Sequence, residues 1–183
     1  MDYYEKTIDE KHIYRGNVID ISMQTVILPN GKITTRDIVK HPGAAVIIPI
    51  SANREIYLVE QYRKPIDCIT LEIPAGKLDE GEEPIKCAAR ELKEETGLES
   101  KNIKHIASVH STPGFSNEIL HLFVATELTE GKSNADEDEF ISSVKIPIEK
   151  TIKMILDGEI TDSKTIIGIL LADKIVKNEI NID

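Results

Sequence analysis

Gly76-Lys77-Leu78-Asp79-Glu80-Gly81-Glu82, followed after Pro84 by Arg90-Glu91-Leu92-Lys93-Glu94-Glu95-Thr96-Gly97-Leu98, reads as one loop and one helix crowded with acid. Pro84 suits a first helical turn, where the N–H it lacks would have no partner in any case. No later proline or glycine breaks the run before Gly97, which can close it in the left-handed conformation. Glu91 and Glu95 stand four apart and so share a face, Glu94 lies beside them, and Ala88 and Leu92 can turn towards a core. Like charges at that spacing cost an isolated helix about 0.2–0.5 kcal/mol per pair, a cost that a bound cation would relieve. Oxygen donors in two stretches that hold neither cysteine nor histidine favour a hard ion, Mg²⁺ or Mn²⁺, over zinc. Taken as composition alone, the same residues also describe an acidic helix face turned to water.

Just upstream, Pro74 fixes φ and Gly76 lets backbone approach a ligand closely, so the Ala75 carbonyl could face a metal held on the helix; the plainer reading is a strand-to-loop turn. Residues 19–28 and 33–39 read as strands joined by Pro29-Asn30-Gly31-Lys32, in which Asn-Gly is a strong hairpin signal. Residues 44–50 are apolar throughout, as a central strand should be, and 55–61 and 69–73 add strands before the acidic helix. Beyond it, 103–110, 119–125 and 140–146 read as strands and 149–156 and 164–177 as closing helices, the second with Ile166, Ile169 and Leu170 available to cover a sheet. That succession predicts an α/β chain: an α/β/α sandwich on a mixed sheet, preceded by an N-terminal antiparallel β-hairpin region.

At 183 residues the chain suits one main domain with a real core. Its net charge of -10, from 32 acids against 22 bases, argues against a polyanion-binding surface, so nucleic acid is not an expected partner. A small phosphate-bearing molecule is compatible with that sign, because local bases or a bound metal can reverse it. Neither a signal peptide nor a membrane span is expected, the apolar run 166–172 being far too short, and the expectation is a cytoplasmic protein. Cys68 and Cys87 have neither metal spacing nor secretory context; Cys87 is expected to pack inside the helix. Asp136-Glu137-Asp138-Glu139 alone indicates a solvated loop, although a loop carboxylate near a metal is also a sensible base for activating water.

In order and spacing, Gly76, Glu82, Arg90-Glu91-Leu92, Glu94-Glu95 and Gly97-Leu98 resemble a complete Nudix box, filled at every defined position over 23 residues. The resemblance implies a hydrolase acting on a nucleoside diphosphate linked to another group. It implies metal ligation by Glu91, Glu95 and the Ala75 carbonyl with help from Glu94, while Arg90 braces Glu94 or another helix acid. Four flanking segments, Glu60-Gln61-Tyr62-Arg63, Glu72-Ile73-Pro74-Ala75-Gly76, Ser111 to Glu118 and Ala135 to Glu139, are similar to those of bacterial ADP-ribose pyrophosphatases. On that similarity Glu137 becomes the expected base and Glu139 a further metal ligand. Arg63, whose planar fork suits phosphate, becomes a substrate contact, with Pro113, Ser116 and Glu118 in the site wall; a bare arginine at a strand end would otherwise form a surface ion pair. The segments Tyr14-Arg15-Gly16, Arg36-Asp37 and His41 to Ala44 resemble the same subgroup. They imply that residues 1–40 form a hairpin and dimerisation region exchanged in a homodimer, that 41–183 form the hydrolase domain, and that Arg36 touches substrate while Tyr14 stacks on a base. Asp37 is one carbon shorter than the glutamate many relatives carry there. The alternatives are a hydrolase preferring another nucleoside diphosphate sugar, GDP-mannose foremost, and a Nudix module that binds ADP-ribose without cleaving it.

Glu95→Gln is expected to lose most turnover through weakened metal binding, whereas Glu137→Gln is expected to lower kcat and leave metal affinity largely intact. Metal titration beside steady-state kinetics separates the two; an unchanged kcat in E137Q removes Glu137 from the base role.

Overall fold

The computed structural model describes residues 2–131 and 140–182. They fall into two compact units, Met1–Gly43 with His110–Ile119, and Ala44–Val109 with Leu120–Asp183.

The first unit is built on an antiparallel sheet of β1 (Lys6–Arg15), β2 (Asp20–Ile27) and β3 (Ile33–Lys40), in that order. The β2–β3 hairpin turns where the Asn-Gly signal predicts: Gly31 adopts φ 80°, Lys32 N–H donates to Asn30 Oδ1 at 3.0 Å, and Ile27 pairs with Ile33. β1 is a strand that hydrophobic patterning does not reveal, because all ten of its residues are exposed. Backbone pairing to β2 and ion pairs across the sheet, Lys40 to Glu10 and Arg15 to Asp20 at 2.6 Å each, hold it instead of an apolar face. Residues 110–119 join this unit at the end of β3, where Val39 N–H donates to the Phe115 carbonyl at 2.8 Å and His41 N–H to Asn117 Oδ1 at 2.8 Å.

The second unit is an α/β/α sandwich. Its elements are β4 (Ala44–Pro49), β5 (Glu55–Arg63), β6 (Cys68–Glu72), β7 (Ala75–Lys77), α1 (Pro84–Thr96), β8 (Leu98–His110), β9 (Ile119–Glu130), β10 (Ser142–Pro147), α2 (Ile148–Leu156) and α3 (Ser163–Val176). One sheet has the order β7-β4-β9-β8 and is mixed, β4 running parallel to β9 and antiparallel to β7; the other, β10-β5-β6, is antiparallel. All six residues of β4 are buried because both of its faces are covered. Ala45 and Ile47 pack with Cys87, Ala88 and Leu92 of α1, whereas Val46 and Ile48 pack with Leu58, Ile73 and, from α3, Ile169 and Ala172. Each fully buried isoleucine of this strand contributes about 1.5–3 kcal/mol by leaving water.

Ala75–Lys77, which reads in sequence as loop after the 69–73 strand, pairs with β4 as a short strand of its own. β8 begins directly at Leu98, whose buried side chain anchors a start that the polar run Glu99 to Asn102 conceals. Leu170 does not cover the sheet: it is exposed, and α3 turns Thr165, Gly168, Ile169 and Ala172 inward. Gly168 lies at a close approach of α3 to the sheet. A Cβ on it would lie 2.5 Å from Ile73 Cδ1 and 3.3 Å from Ile48 Cγ1, so the missing side chain lets α3 approach the strand that leads into Pro74.

Candidate active site

α1 carries the site. Pro84 opens the helix, and Gly97 closes it at φ 71°, its N–H donating to the Lys93 carbonyl at 2.9 Å. The inward face holds Cys87, Ala88, Glu91, Leu92 and Glu95, so two carboxylates share a stripe with core residues and are only 8% and 7% exposed. Burial pushes the neighbouring Cys87 thiol up to about 12, which leaves it a protonated packing group.

Backbone and one arginine fix those carboxylates. Ala75 N–H donates to Glu95 Oε2 at 3.0 Å. Gly76 lies against Glu91 so closely that a Cβ built on it would overlap the carboxylate. Arg90 reaches Glu82 through Nε at 3.1 Å and Nη2 at 3.0 Å, and its Nη1 donates to Glu91 at 2.6 Å and Glu94 at 3.0 Å. The guanidinium beside Glu82 holds that carboxyl down at about 2, and Arg90 is itself held charged, first by Glu82 and then by Glu91 and Glu94. The bracing of Glu94 expected from sequence is therefore present, with Glu82 taking the bidentate bond. Among the described residues no three acid, histidine or cysteine side chains already stand as a metal cage. The donor set nevertheless suits a hard divalent cation: Glu91, Glu94 and Glu95 offer oxygen from one side of α1, beside a backbone segment that glycine keeps open.

Beyond β6 a second charged network adjoins this one. Glu72, 2% exposed, receives Arg63 bidentately, Nε to Oε1 and Nη2 to Oε2 at 2.7 Å each, together with Thr70 Oγ1 at 2.6 Å and Lys164 Nζ. Burial alone would raise this carboxyl; the two cations and the hydroxyl overcome it and hold it at about 2. Arg63 is held charged by its bond to Glu72, with the charges of Asp162 and Glu95 adding to the effect, which brings the network within electrostatic range of the α1 carboxylates.

In the first unit, Arg36 on β3 is forked onto Glu5, Nε to Oε2 at 2.9 Å and Nη2 to Oε1 at 2.7 Å. Pro113 lies exposed in a turn, Ser116 Oγ accepts from Glu118 N–H at 3.2 Å, and Ser111 Oγ donates to Glu118 at 2.5 Å. Glu137 and Glu139 lie outside the described residues. Sequence reasoning missed Glu72, Thr70, Asp162 and Lys164 as a network; the available signal was a charged residue between Leu71 and Ile73 in a buried strand.

A model of the NUDIX domain matches residues 39–166. The chain belongs to the Nudix family of hydrolases. An ADP-ribose pyrophosphatase of Bacillus subtilis (strain 168) is 45% identical over 163 residues, 88% of each chain. A methanol dehydrogenase activator of Bacillus methanolicus is 43% identical over 169 residues, 91% of each chain. The crystal structure of an ADP compounds hydrolase shares the fold, with a TM-score of 0.85 over 98% of both chains at 16% identity. Nudix hydrolases generally work with a divalent metal, in keeping with the oxygen donors of α1. No helix among the described residues of this Nudix chain is long and apolar enough to cross a membrane.

Gly76→Ala is expected to leave the fold standing, because the overlapped group is the end of a side chain and not backbone, but to displace the Glu91 carboxylate from its place beside Arg90. Manganese affinity measured by calorimetry should fall about tenfold or more while the denaturation midpoint stays near that of the parent; an unchanged affinity would contradict the close packing of Glu91 on this backbone.

Proposed function

We propose that this Nudix hydrolase cleaves ADP-ribose to AMP and ribose 5-phosphate with Mg²⁺, or Mn²⁺ in its place. The carrying observation is the pair of buried carboxylates, Glu91 and Glu95, set against the Ala75–Gly76 backbone. Glu91, Glu94, Glu95, the Ala75 carbonyl and Glu139 would hold more than one ion. When bound, such ions neutralise diphosphate oxygens and lower the pKa of water. Arg90 holds Glu91 and Glu94 in place through its Nη1 bonds to both. Arg63 would take a diphosphate oxygen through the part of its fork that Glu72 does not use. Glu137 would accept the proton of the attacking water as its oxygen bonds to phosphorus and the bridging P–O bond breaks. Arg36, Pro113, Ser116 and Glu118 are proposed as further contacts to the substrate. The B. subtilis relative's name supports the choice of ADP-ribose.

Purified protein with ADP-ribose and magnesium is expected to release AMP and ribose 5-phosphate in equal amounts, resolved by chromatography. A higher kcat/KM for GDP-mannose in a panel at matched concentrations would reassign the substrate, and tight ADP-ribose binding without products would make the chain a binding module.

The assembly proposed is a homodimer formed through the first unit. β1 leaves Ile8, Ile13 and Tyr14 exposed, and Tyr3 and Tyr4 precede them, apolar side chains that a second copy would cover. Light scattering of the full chain should give twice the monomer mass, and Ile13→Lys should shift it towards monomer; a monomer at assay concentration with full activity would refute the shared assembly.

A further inference from the structure

Glu72 ends β6 three residues before Ala75, and Arg63, Thr70 and Lys164 converge on its carboxylate. Among the described residues, Nε and Nη2 of Arg63 are committed to Glu72, which leaves Nη1 on a side chain 41% exposed. That side chain lines a cavity of about 460 Å³ with Ile66, Thr70, Lys164 and the acidic residues Glu72 and Asp162. The Lys164 side chain is far less exposed than that of Arg63, and it is fixed twice, on Glu72 Oε2 and at 3.0 Å on Asp162 Oδ2. Asp162 caps α3, its Oδ2 accepting from Thr165 N–H at 2.9 Å and Thr165 Oγ1 at 2.6 Å, and Thr165 Oγ1 in turn accepts from Ile73 N–H at 2.9 Å. The start of α3 thus grips two consecutive residues, Glu72 and Ile73, on the approach to Pro74.

Arg63 and Lys164 share two carboxylates, Glu72 and Asp162, so the group is balanced in charge and its effect is one of orientation. Lys164 bridges the two carboxylates and fixes that of Glu72, which pins the arginine plane forked onto it. Building on the reading of Arg63 as a diphosphate contact, we infer that Lys164 is a positioning residue: it ties Glu72 to Asp162 and fixes the Glu72 carboxylate, so that Arg63 holds its Nη1 edge towards a diphosphate in this cavity. The bonding is chemically asymmetric in the way this role needs. Lysine is a point charge that needs no particular plane, whereas arginine supplies the oriented fork.

The test combines calorimetric binding of inorganic pyrophosphate, in magnesium, with steady-state kinetics on ADP-ribose, for the full chain and for K164M, K164R, R63Q and the K164M/R63Q double variant. K164M should weaken pyrophosphate binding and raise KM about tenfold each with kcat within about twofold, and K164R should restore both to within about threefold. In the double variant the loss should exceed that of R63Q by no more than about twofold, because Lys164 acts through Arg63. Thermal melting monitors folding; should K164M not fold, K164Q, which removes the charge but keeps a donor, is expected to show the same losses. Pyrophosphate affinity unchanged in K164M, losses that multiply in the double variant, or failure of the parent protein to bind pyrophosphate would each overturn the inference. Normal turnover of ADP-ribose with an unchanged KM in K164M refutes the role of Lys164 alone. The expected pyrophosphate pattern without ADP-ribose turnover refutes the substrate and upholds the role of Lys164.

Discussion

Burying two carboxylates on the inward side of a helix is tolerable only if fixed donors and positive charge stand beside them, and α1 provides the charge from its own sequence. An uncompensated buried charge would cost several kcal/mol. Arg90 spreads one guanidinium over Glu82, Glu91 and Glu94, joining the loop that enters the helix to the acids that line it. The Ala75 N–H supplies Glu95 with a further donor. Because these bonds run between the loop after β6 and the helix, the geometry of the carboxylates depends on the position of Ala75 and Gly76, and therefore on the pairing of that segment with β4.

β4 transmits the constraint further. Its residues face α1 on one side and α3 on the other, so a packing change on either helix is felt by the strand against which Ala75–Lys77 is registered. The network at Glu72 works from the α3 side. There a carboxylate with two cations and a hydroxyl satisfies its lone pairs in the interior, and the cap of α3 is part of the same chain of bonds. An apolar residue at this position would fill the volume with less desolvation, which makes the retained charge more informative about function than about stability.

Much of this was legible in sequence because the physical signals were local. Pro84 and Gly97 delimit α1 at both ends, the Asn-Gly pair fixes the β2–β3 turn, and the apolar run at β4 marks a strand covered on both faces. The spacing of Glu91 and Glu95 placed both on one face of the helix, although their burial rather than solvation was a tertiary outcome. β1 was illegible because its stability comes from pairing and cross-strand charges, neither of which leaves a period in composition. The Glu72 network was illegible for a different reason. Its partners Arg63 and Lys164 lie 101 residues apart (164 − 63) and meet only once α3 has docked. Leu170 shows the limit of helical patterning: the inward face of α3 is set by small residues that permit close approach, and the larger side chain is left outside.

Gly168 carries a consequence for any effort to make this protein more heat-resistant. A glycine in the middle of a helix forgoes about 1 kcal/mol relative to alanine, and exchanging such glycines is a standard route to stabilisation. Here the space that alanine would claim is already taken by Ile73 and Ile48. Any added atom would tend to push α3 away from the sheet and strain the Thr165 bond to Ile73, the residue before Pro74. Rigidity of the helix and precision of the loop that follows Ile73 are thus in opposition at this one position. A more stable α3 could come with a less exactly placed Ala75 carbonyl, so substitutions for stability are better sought on the outward side of the helix.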